Sequence, residues 1–297
     1  MRRRDFIKRA AVASSALYLP SLLHLDGAEP GPLVVKVAGE SPYEITRRAI
    51  QELGGMTKFV SKQDIVMVKP NIAWNRTVEQ AGNTNPDVVR AIVEMALDAG
   101  AKKVIVMDNT THKAEDSYRR SGVEEAARKA GAEVRFADEN REVVFDFKGK
   151  VLTRWPVFKD FLEVDKFINV PILKHHGSAG LTIAMKNLYG IIGGNRGKLH
   201  RSMGDNIADL AHGFKSHLTV VDAFRILTQN GPTGGRLSDV VMKKTVIASA
   251  SIMGADAVAA DLFGMPPAQL PSLQAAFARG MGDLDLSKIA IKTFTQG

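Results

Sequence analysis

From Leu33 onward, short aliphatic and β-branched runs alternate with segments whose apolar residues recur at helical spacing, and this alternation constrains the fold more than any other feature. A strand, a covering helix and a parallel return strand bury one another's apolar faces, so the pattern predicts βαβ units around a mostly parallel sheet. Leu33 to Val37 is the first run, and Ser41-Pro42 then supplies a cap and first-turn proline for a helix to Leu53, stopped by Gly54-Gly55. Asp64 to Val68 and Lys103 to Met107 read as the next strands. Between them lies a helix from Pro86 to Leu97 whose Val88, Val89, Ile92, Val93 and Ala96 form one face. Glu115 to Ala130 is helical with a break near Gly122, and Phe167 to Leu173 and Leu218 to Val221 read as buried strands. The expected fold class is α/β: a mostly parallel sheet flanked by helices, with an added antiparallel ribbon around residues 134–158, in one domain spanning residues 33–297.

Composition narrows the chemistry. The 297 residues include no cysteine, which excludes disulfides, thiolate nucleophiles and Cys-ligated zinc or iron–sulfur clusters. Net charge is +8, yet Arg2, Arg3, Arg4, Lys8 and Arg9 face only Asp5 and Asp26 in the first 28 residues, leaving 35 basic against 30 acidic residues elsewhere. That mild excess, with two Trp and four Tyr in all, argues against a nucleic-acid surface. Residues 1–28 instead read as an export signal. Arg3-Arg4-Asp5-Phe6-Ile7-Lys8 and the apolar run from Ala10 to Leu23 resemble the twin-arginine pattern, with contact to the membrane only in transit. The run, broken by Pro20, falls short of the ~20 apolar residues a span requires.

The apolar runs end in chemistry-bearing residues. The second is followed by Lys69-Pro70-Asn71, the third by Asp108-Asn109-Thr110, the run from Phe167 by Lys174-His175-His176, and the run from Leu218 by Asp222. In a parallel sheet these tips share the crevice beyond the carboxyl ends of the strands, where ligands bind. Lys69, Lys174 and Lys186 would repel one another there unless an anion lay between them, so a small carboxylate or phosphate is the expected partner. Asn71, Asn83 and Asn187 could orient it through their amides, while Asn85 suits a helix cap. His175 and His176 are candidates for moving a proton, with Asp108 or Asp222 setting the tautomer, and as strand neighbours they should face opposite ways. No spacing motif assigns a metal, and no G-x-S-x-G elbow is present.

A helix starting after Ser178 would aim its amides at the Lys174–His176 tip. The glycine-rich stretch that follows is not a Walker A loop, since Ile192 stands where that motif needs Gly and Leu199 where it needs Ser or Thr. It carries Arg196, Lys198, His200 and Arg201, a set suited to capping an acidic ligand, Arg196 and His200 being the expected contacts. Asp256 and Asp261 are five apart and so do not share a helix face; Asp256 suits a cap, and Asp261 a pocket contact or a helix-end ion pair.

These residues together resemble the domain of unknown function 362 family. The resemblance is carried by VMVKPNIAW around Lys69, the stretch from Asn83 to Asn109, INVPILKHH at Lys174, MKNLYGIIGG around Lys186, and GADAVAAD ending at Asp261. It extends from about Val34 to Gly264 and implies an exposed polar site shared among the motifs, without an established reaction. Many relatives look as though they carry a Cys-rich ferredoxin-like segment, which implies electron transfer in them, and this chain lacks the cysteines that such a segment needs. Two readings follow: an enzyme that holds a small anion among lysines and moves a proton through a histidine, or a non-catalytic accessory protein that holds an anionic ligand or cofactor for an exported partner. Export is testable by cell fractionation. The wild type is expected outside the cytoplasmic membrane and Arg3→Lys/Arg4→Lys inside it; equal cytoplasmic retention of both would refute the signal.

Overall fold

Alternation along the strands decides the layering. Val35, Val37, Val66, Val68, Val104 and Val106 pack to one side of the sheet, whereas Val34, Met67, Ile105 and Met107 pack to the other, as a period of two requires. The computed structural model describes residues 32–296. Its strands and helices are, in chain order, β1 (Val34–Ala38), α1 (Pro42–Glu52), β2 (Ile65–Pro70), α2 (Pro86–Asp98), β3 (Lys103–Asp108), α3 (Ala114–Arg120), α4 (Val123–Lys129), β4 (Glu133–Phe136), β5 (Glu142–Asp146), β6 (Arg154–Phe158), β7 (Lys166–Val170), β8 (Ile172–His176), β9 (Gly180–Thr182), α5 (Ala184–Asn187), α6 (Met203–Gly213), β10 (Leu218–Leu227), β11 (Val240–Ser249), α7 (Ile252–Phe263), α8 (Pro271–Phe277) and β12 (Ile291–Thr295). The proposed export signal lies outside the described residues. Among those described, no helix is long and apolar enough to cross a membrane.

Ten strands form one mixed, mostly parallel sheet along the path β12-β1-β11-β10-β7-β2-β3-β4, with β8 joined to β10 and β9 joined to β8. β11 runs against β1 and β10, and β9 against β8; the other pairings are parallel. Helices α1 to α4 cover one face, and α5 to α8 with the ribbon cover the other. The capping residues act locally as expected. The Ser41 hydroxyl accepts from Glu44 N at 3.3 Å, and the Asn85 side chain accepts from Asp87 N at 3.0 Å, each ahead of a proline in the first turn. Gly122 separates α3 from α4 at φ +75°.

Several expectations change. The ribbon is the antiparallel pair β5–β6, residues 142–158, because 133–136 adds instead as a parallel edge strand beside β3. The run from Phe167 divides at Pro171, which has no N–H to give, into β7 and β8. β7 still pairs with β2 as far as Val170, but β8 pairs with β9 and β10, so β2 and β8 part company beyond Pro171. β10 runs past Asp222 to Leu227 because Ala223, Phe224, Ile226 and Leu227 prolong the apolar run against β11. The helix expected after Ser178 is replaced by β9, and helical backbone begins only at Ala184.

The start of α5 is held from across the core. Asp256 on α7 accepts from Ala184 N at 2.7 Å and Met185 N at 3.0 Å, so it caps a helix other than its own, whose cap is Ser251. Burial pushes the Asp256 carboxyl up to about 7 against the pull of both amides. Asp261 is exposed on the same helix and is not part of the lining of the cleft described below. Replacing Asp256 by Ala orphans two buried donors, at ~1–3 kcal/mol each. Urea unfolding of Asp256→Ala is expected to show a loss of ~2–6 kcal/mol for the two donors, and a loss under ~1 kcal/mol would show that water or relaxation satisfies the amides.

Candidate functional site

The gap opened between β2 and β8 is the floor of a cleft of about 560 Å³, lined among others by Lys69, Asn71, Trp74, Asp108, Lys174, His176, Thr182, Lys186, Asn187, Tyr189, Arg196 and His200. It lies beyond the carboxyl ends of parallel strands, where the chain, having added β3 and β4 on one side of β2, places β7 on the other. That reversal is the ligand-binding position of open α/β sheets.

Lys69 and Asp108 sit at its base as an ion pair, Nζ to Oδ1 2.7 Å, with side chains 0% and 2% exposed. Lys69 Nζ also donates to Asn187 Oδ1 at 3.1 Å and to the Pro70 carbonyl at 3.0 Å, which occupies all three N–H groups. Lys69 therefore holds the site together, and a ligand finds no free donor on it. Asp108 Oδ2 accepts from Ile72 N at 2.7 Å, and the Tyr118 hydroxyl accepts from Asp108 N at 2.7 Å. Burial lowers the Lys69 pKa while Asp108 opposes the fall. Gly190 lies directly over the pair: a Cβ there would come within 1.8 Å of Asp108 Oδ1 and 2.6 Å of Lys69 Nζ. No residue but glycine fits that approach.

A chain of amides runs from this pair to Lys174. Asn187 Oδ1, turned toward Lys69, also accepts from Asn71 Nδ2 at 3.0 Å, and Asn71 Oδ1 accepts from Lys174 Nζ at 3.1 Å. An ammonium at each end thus sets the direction of both amides. Asn187 Nδ2 donates to Asn169 Oδ1 at 2.8 Å, and Lys174 Nζ donates to the Gly82 carbonyl at 2.5 Å. Lys174 keeps one N–H for the cleft. Its pKa is brought to about 7 by burial and by the nearby charges of Lys186 and Lys69, Asp108 opposing them. Lys186 falls to about 7 through burial, then Arg196 and Lys69, and its Nζ sits 3.6 Å from the centre of the Tyr189 ring. Arg196 donates to the carbonyls of Asn109 at 3.0 Å, Tyr189 at 3.3 Å and Thr110 at 2.9 Å, joining the two loops that wall the cleft.

His176 faces the cleft as a neutral donor. Its Nδ1 accepts from Ser178 N and Ala179 N, both at 3.3 Å, which places the ring proton on Nε2. Burial and the charges of Lys186 and Lys174 lower its pKa to about 3. The tautomer is thus set by backbone amides and not, as expected, by Asp108 or Asp222, neither of which touches the ring. His175 points away and accepts from Gly231 N at 3.1 Å, since neighbours on a strand alternate. Asp222 is fixed within the sheet, accepting from Asn85 N at 2.7 Å and Phe224 N at 3.0 Å, and burial raises its pKa to about 6. Asn83 brackets Trp74, accepting from its N at 3.0 Å and donating to its O at 2.7 Å, so it shapes the loop and stays outside the lining. His200 lines the exposed mouth, its Nδ1 3.0 Å from the Gly197 carbonyl.

The cleft is less exposed than the family resemblance implies, Lys69, Lys174 and Asp108 being buried. Trp74, Thr182 and Tyr189 were not singled out by sequence reasoning. Trp74 closes the same loop that begins at Lys69-Pro70-Asn71, and Tyr189 is one helical turn beyond Lys186; those spacings were the available signals. Thr182 carried none, because it lies on the strand that replaces the expected helix.

A family model described as "Domain of unknown function (DUF362)" matches residues 66–261. The chain is 25% identical over 275 residues to the thylakoid-associated protein sll1697 of Synechocystis sp., covering 88% of this chain and 79% of that protein. Among solved structures it is similar to the lactate racemase apoprotein from Thermoanaerobacterium thermosaccharolyticum, with 10% identity and a TM-score of 0.48 over 73% of this chain and 54% of that one. It is also similar to a structural-genomics target from Thermotoga maritima, at 11% identity and a TM-score of 0.38 over 80% of this chain and 60% of the other. The chain thus spans between half and two thirds of the length of these two solved proteins.

Removing one partner of a buried ion pair strands the other charge, at ~3–5 kcal/mol, whereas replacing both with apolar groups is often near neutral. Asp108→Leu is expected to lose that amount in equilibrium unfolding, and Lys69→Met/Asp108→Leu to regain much of it. A double variant no better than the single would show that Asp108 stabilises through Ile72 and not through Lys69.

Proposed function

Given that the chain belongs to the domain of unknown function 362 family, whose description names no reaction, we propose from the cleft itself that this protein binds a small carboxylate or phosphate and acts on it through its lysines. One observation carries the reading: among the described residues Asp108 is the sole carboxylate of the lining and is paired with Lys69, so Lys174, Lys186 and Arg196 face the cleft with no other carboxylate there. Burial first, and then the charges of neighbouring cations, lower the pKa values of Lys174 and Lys186 to about 7. A bound anion offsets those charges and restores both protons. The neutral His176 supplies an Nε2–H donor, while Lys174 and Lys186 titrate near neutrality and are the groups suited to giving and taking protons. The Arg3-Arg4 signal supports action outside the cytoplasmic membrane.

Thermal shift with inorganic phosphate and a panel of carboxylates tests this, since a ligand at ~100 times its Kd stabilises by about 2.7 kcal/mol. Lys174→Met should weaken binding by roughly 10- to 150-fold, the value of a charge-assisted contact of about 1.5–3 kcal/mol. The pH dependence has a definite sign. Unfolded lysine keeps its proton up to ~10.4, whereas native Lys174 and Lys186 release theirs near 7, so the unfolded chain binds more protons between these values. Stability without ligand should therefore rise from pH 7 to 9, and saturating phosphate should flatten the rise. A ligand-free Tm that stays level or falls over that window, or a Lys174→Met variant that responds as the wild type does, would count against the reading. Binding without turnover of any panel member would favour the accessory role over the enzyme.

A further inference from the structure

The three lysines of the cleft differ in what their amines touch. Lys69 uses all its N–H groups within the protein, and Lys174 uses two on Asn71 and Gly82. Lys186 uses none: among the described residues its Nζ contacts only the face of Tyr189. Deprotonated, it presents a lone pair to the cleft with no competing hydrogen bond. A lysine set beside other cations is the arrangement that makes an amine a nucleophile near neutral pH, and half-buried Lys186 feels the charges of Arg196 and Lys69. Of the buried donors on lining residues, Thr182 Oγ1 and Trp74 Nε1 have no hydrogen-bond partner among the described residues. With His176 Nε2–H they are uncharged donors, which match an uncharged acceptor better than a second anionic group. Cations for a carboxylate and neutral donors for a carbonyl oxygen describe one class of ligand.

We propose that Lys186 forms an imine with the carbonyl carbon of a small oxo acid whose carboxylate is held by the cations of the same cleft, a step that rests on the anion-binding reading above. The Nζ lone pair attacks the carbonyl carbon to form a C–N bond, and the carbonyl oxygen takes up a proton to give a carbinolamine. The C–O bond then breaks, and the two amine protons leave on the departing water. No oxidant or reductant is needed. Lys174, with an N–H still available, is the neighbour suited to ferrying those protons, and the Tyr189 ring lies against the Lys186 amine.

The test is reductive trapping of the full chain with pyruvate and cyanoborohydride, read by peptide mass mapping, alongside thermal shifts with phosphate, pyruvate and propanoate. One reduced pyruvyl group is expected on Lys186. Its yield should rise with pH through about 7 and then level off, where labelling of exposed lysines such as Lys159 continues to climb. Lys186→Arg should lose the adduct, and a cooperative ligand-free thermal transition in that variant separates lost chemistry from lost folding. Thermal shifts with all three anions but no adduct on Lys186, or adducts spread over exposed lysines and unchanged in Lys186→Arg, would overturn the imine and leave the anion site standing. Absence of any shift in the wild type would overturn both.

Discussion

A lysine and an aspartate sealed from water at the base of the cleft set the terms for what surrounds them. Desolvating the pair costs several kcal/mol per ion, and the interior tolerates it only where the remaining hydrogen-bonding capacity is met. Lys69 is met by Asp108, Asn187 and the Pro70 carbonyl, and Asp108 by Lys69 and the Ile72 amide. Those partners come from β2, β3, the loop after β2 and α5, so one interaction gathers four parts of the chain. Gly190 packs on it without room for a side chain.

The pairing has an electrostatic consequence for the rest of the cleft. By taking the lining's sole carboxylate, Lys69 leaves Lys174, Lys186 and Arg196 to face one another, and their repulsion adds to burial in drawing the two lysines toward neutrality. His176 sits in the same field and stays uncharged, with its ring proton on Nε2. Groups usually regarded as inert cations become the titrating ones, and the residue usually chosen for proton transfer does not titrate in the working range.

Much of the fold was legible because it is governed by short-range rules. The strands begin where aliphatic runs begin, Ser41 and Asn85 cap helices ahead of prolines, and Gly122 divides a helix, each effect acting within a few residues. The same locality brought Lys69, Asp108 and Lys174 into view as strand-end residues. It misplaced Asp222, because the length of β10 depends on β11 as a partner, and it drew a helix where β9 pairs with β8. Thr182 was hidden by that second error. Asp256 was legible as a capping residue, but the helix it caps is brought to it only by packing of α5 against α7.

By itself the sequence determined the α/β alternation, the absence of thiol chemistry and the concentration of lysine, histidine and asparagine at strand ends, since periodicity and composition are properties of the chain before it folds. Tertiary structure decided which of those side chains are neutralised, which face the cleft and which are charged. His175 and His176 are adjacent in sequence and differ in role because a strand turns them to opposite sides. Lys69, Lys174 and Lys186 are chemically identical when unfolded. They differ in the fold because charge, burial and hydrogen bonding act through space, and only the folded chain places a carboxylate 2.7 Å from the first, two carbonyl oxygens beside the second and an aromatic face beneath the third.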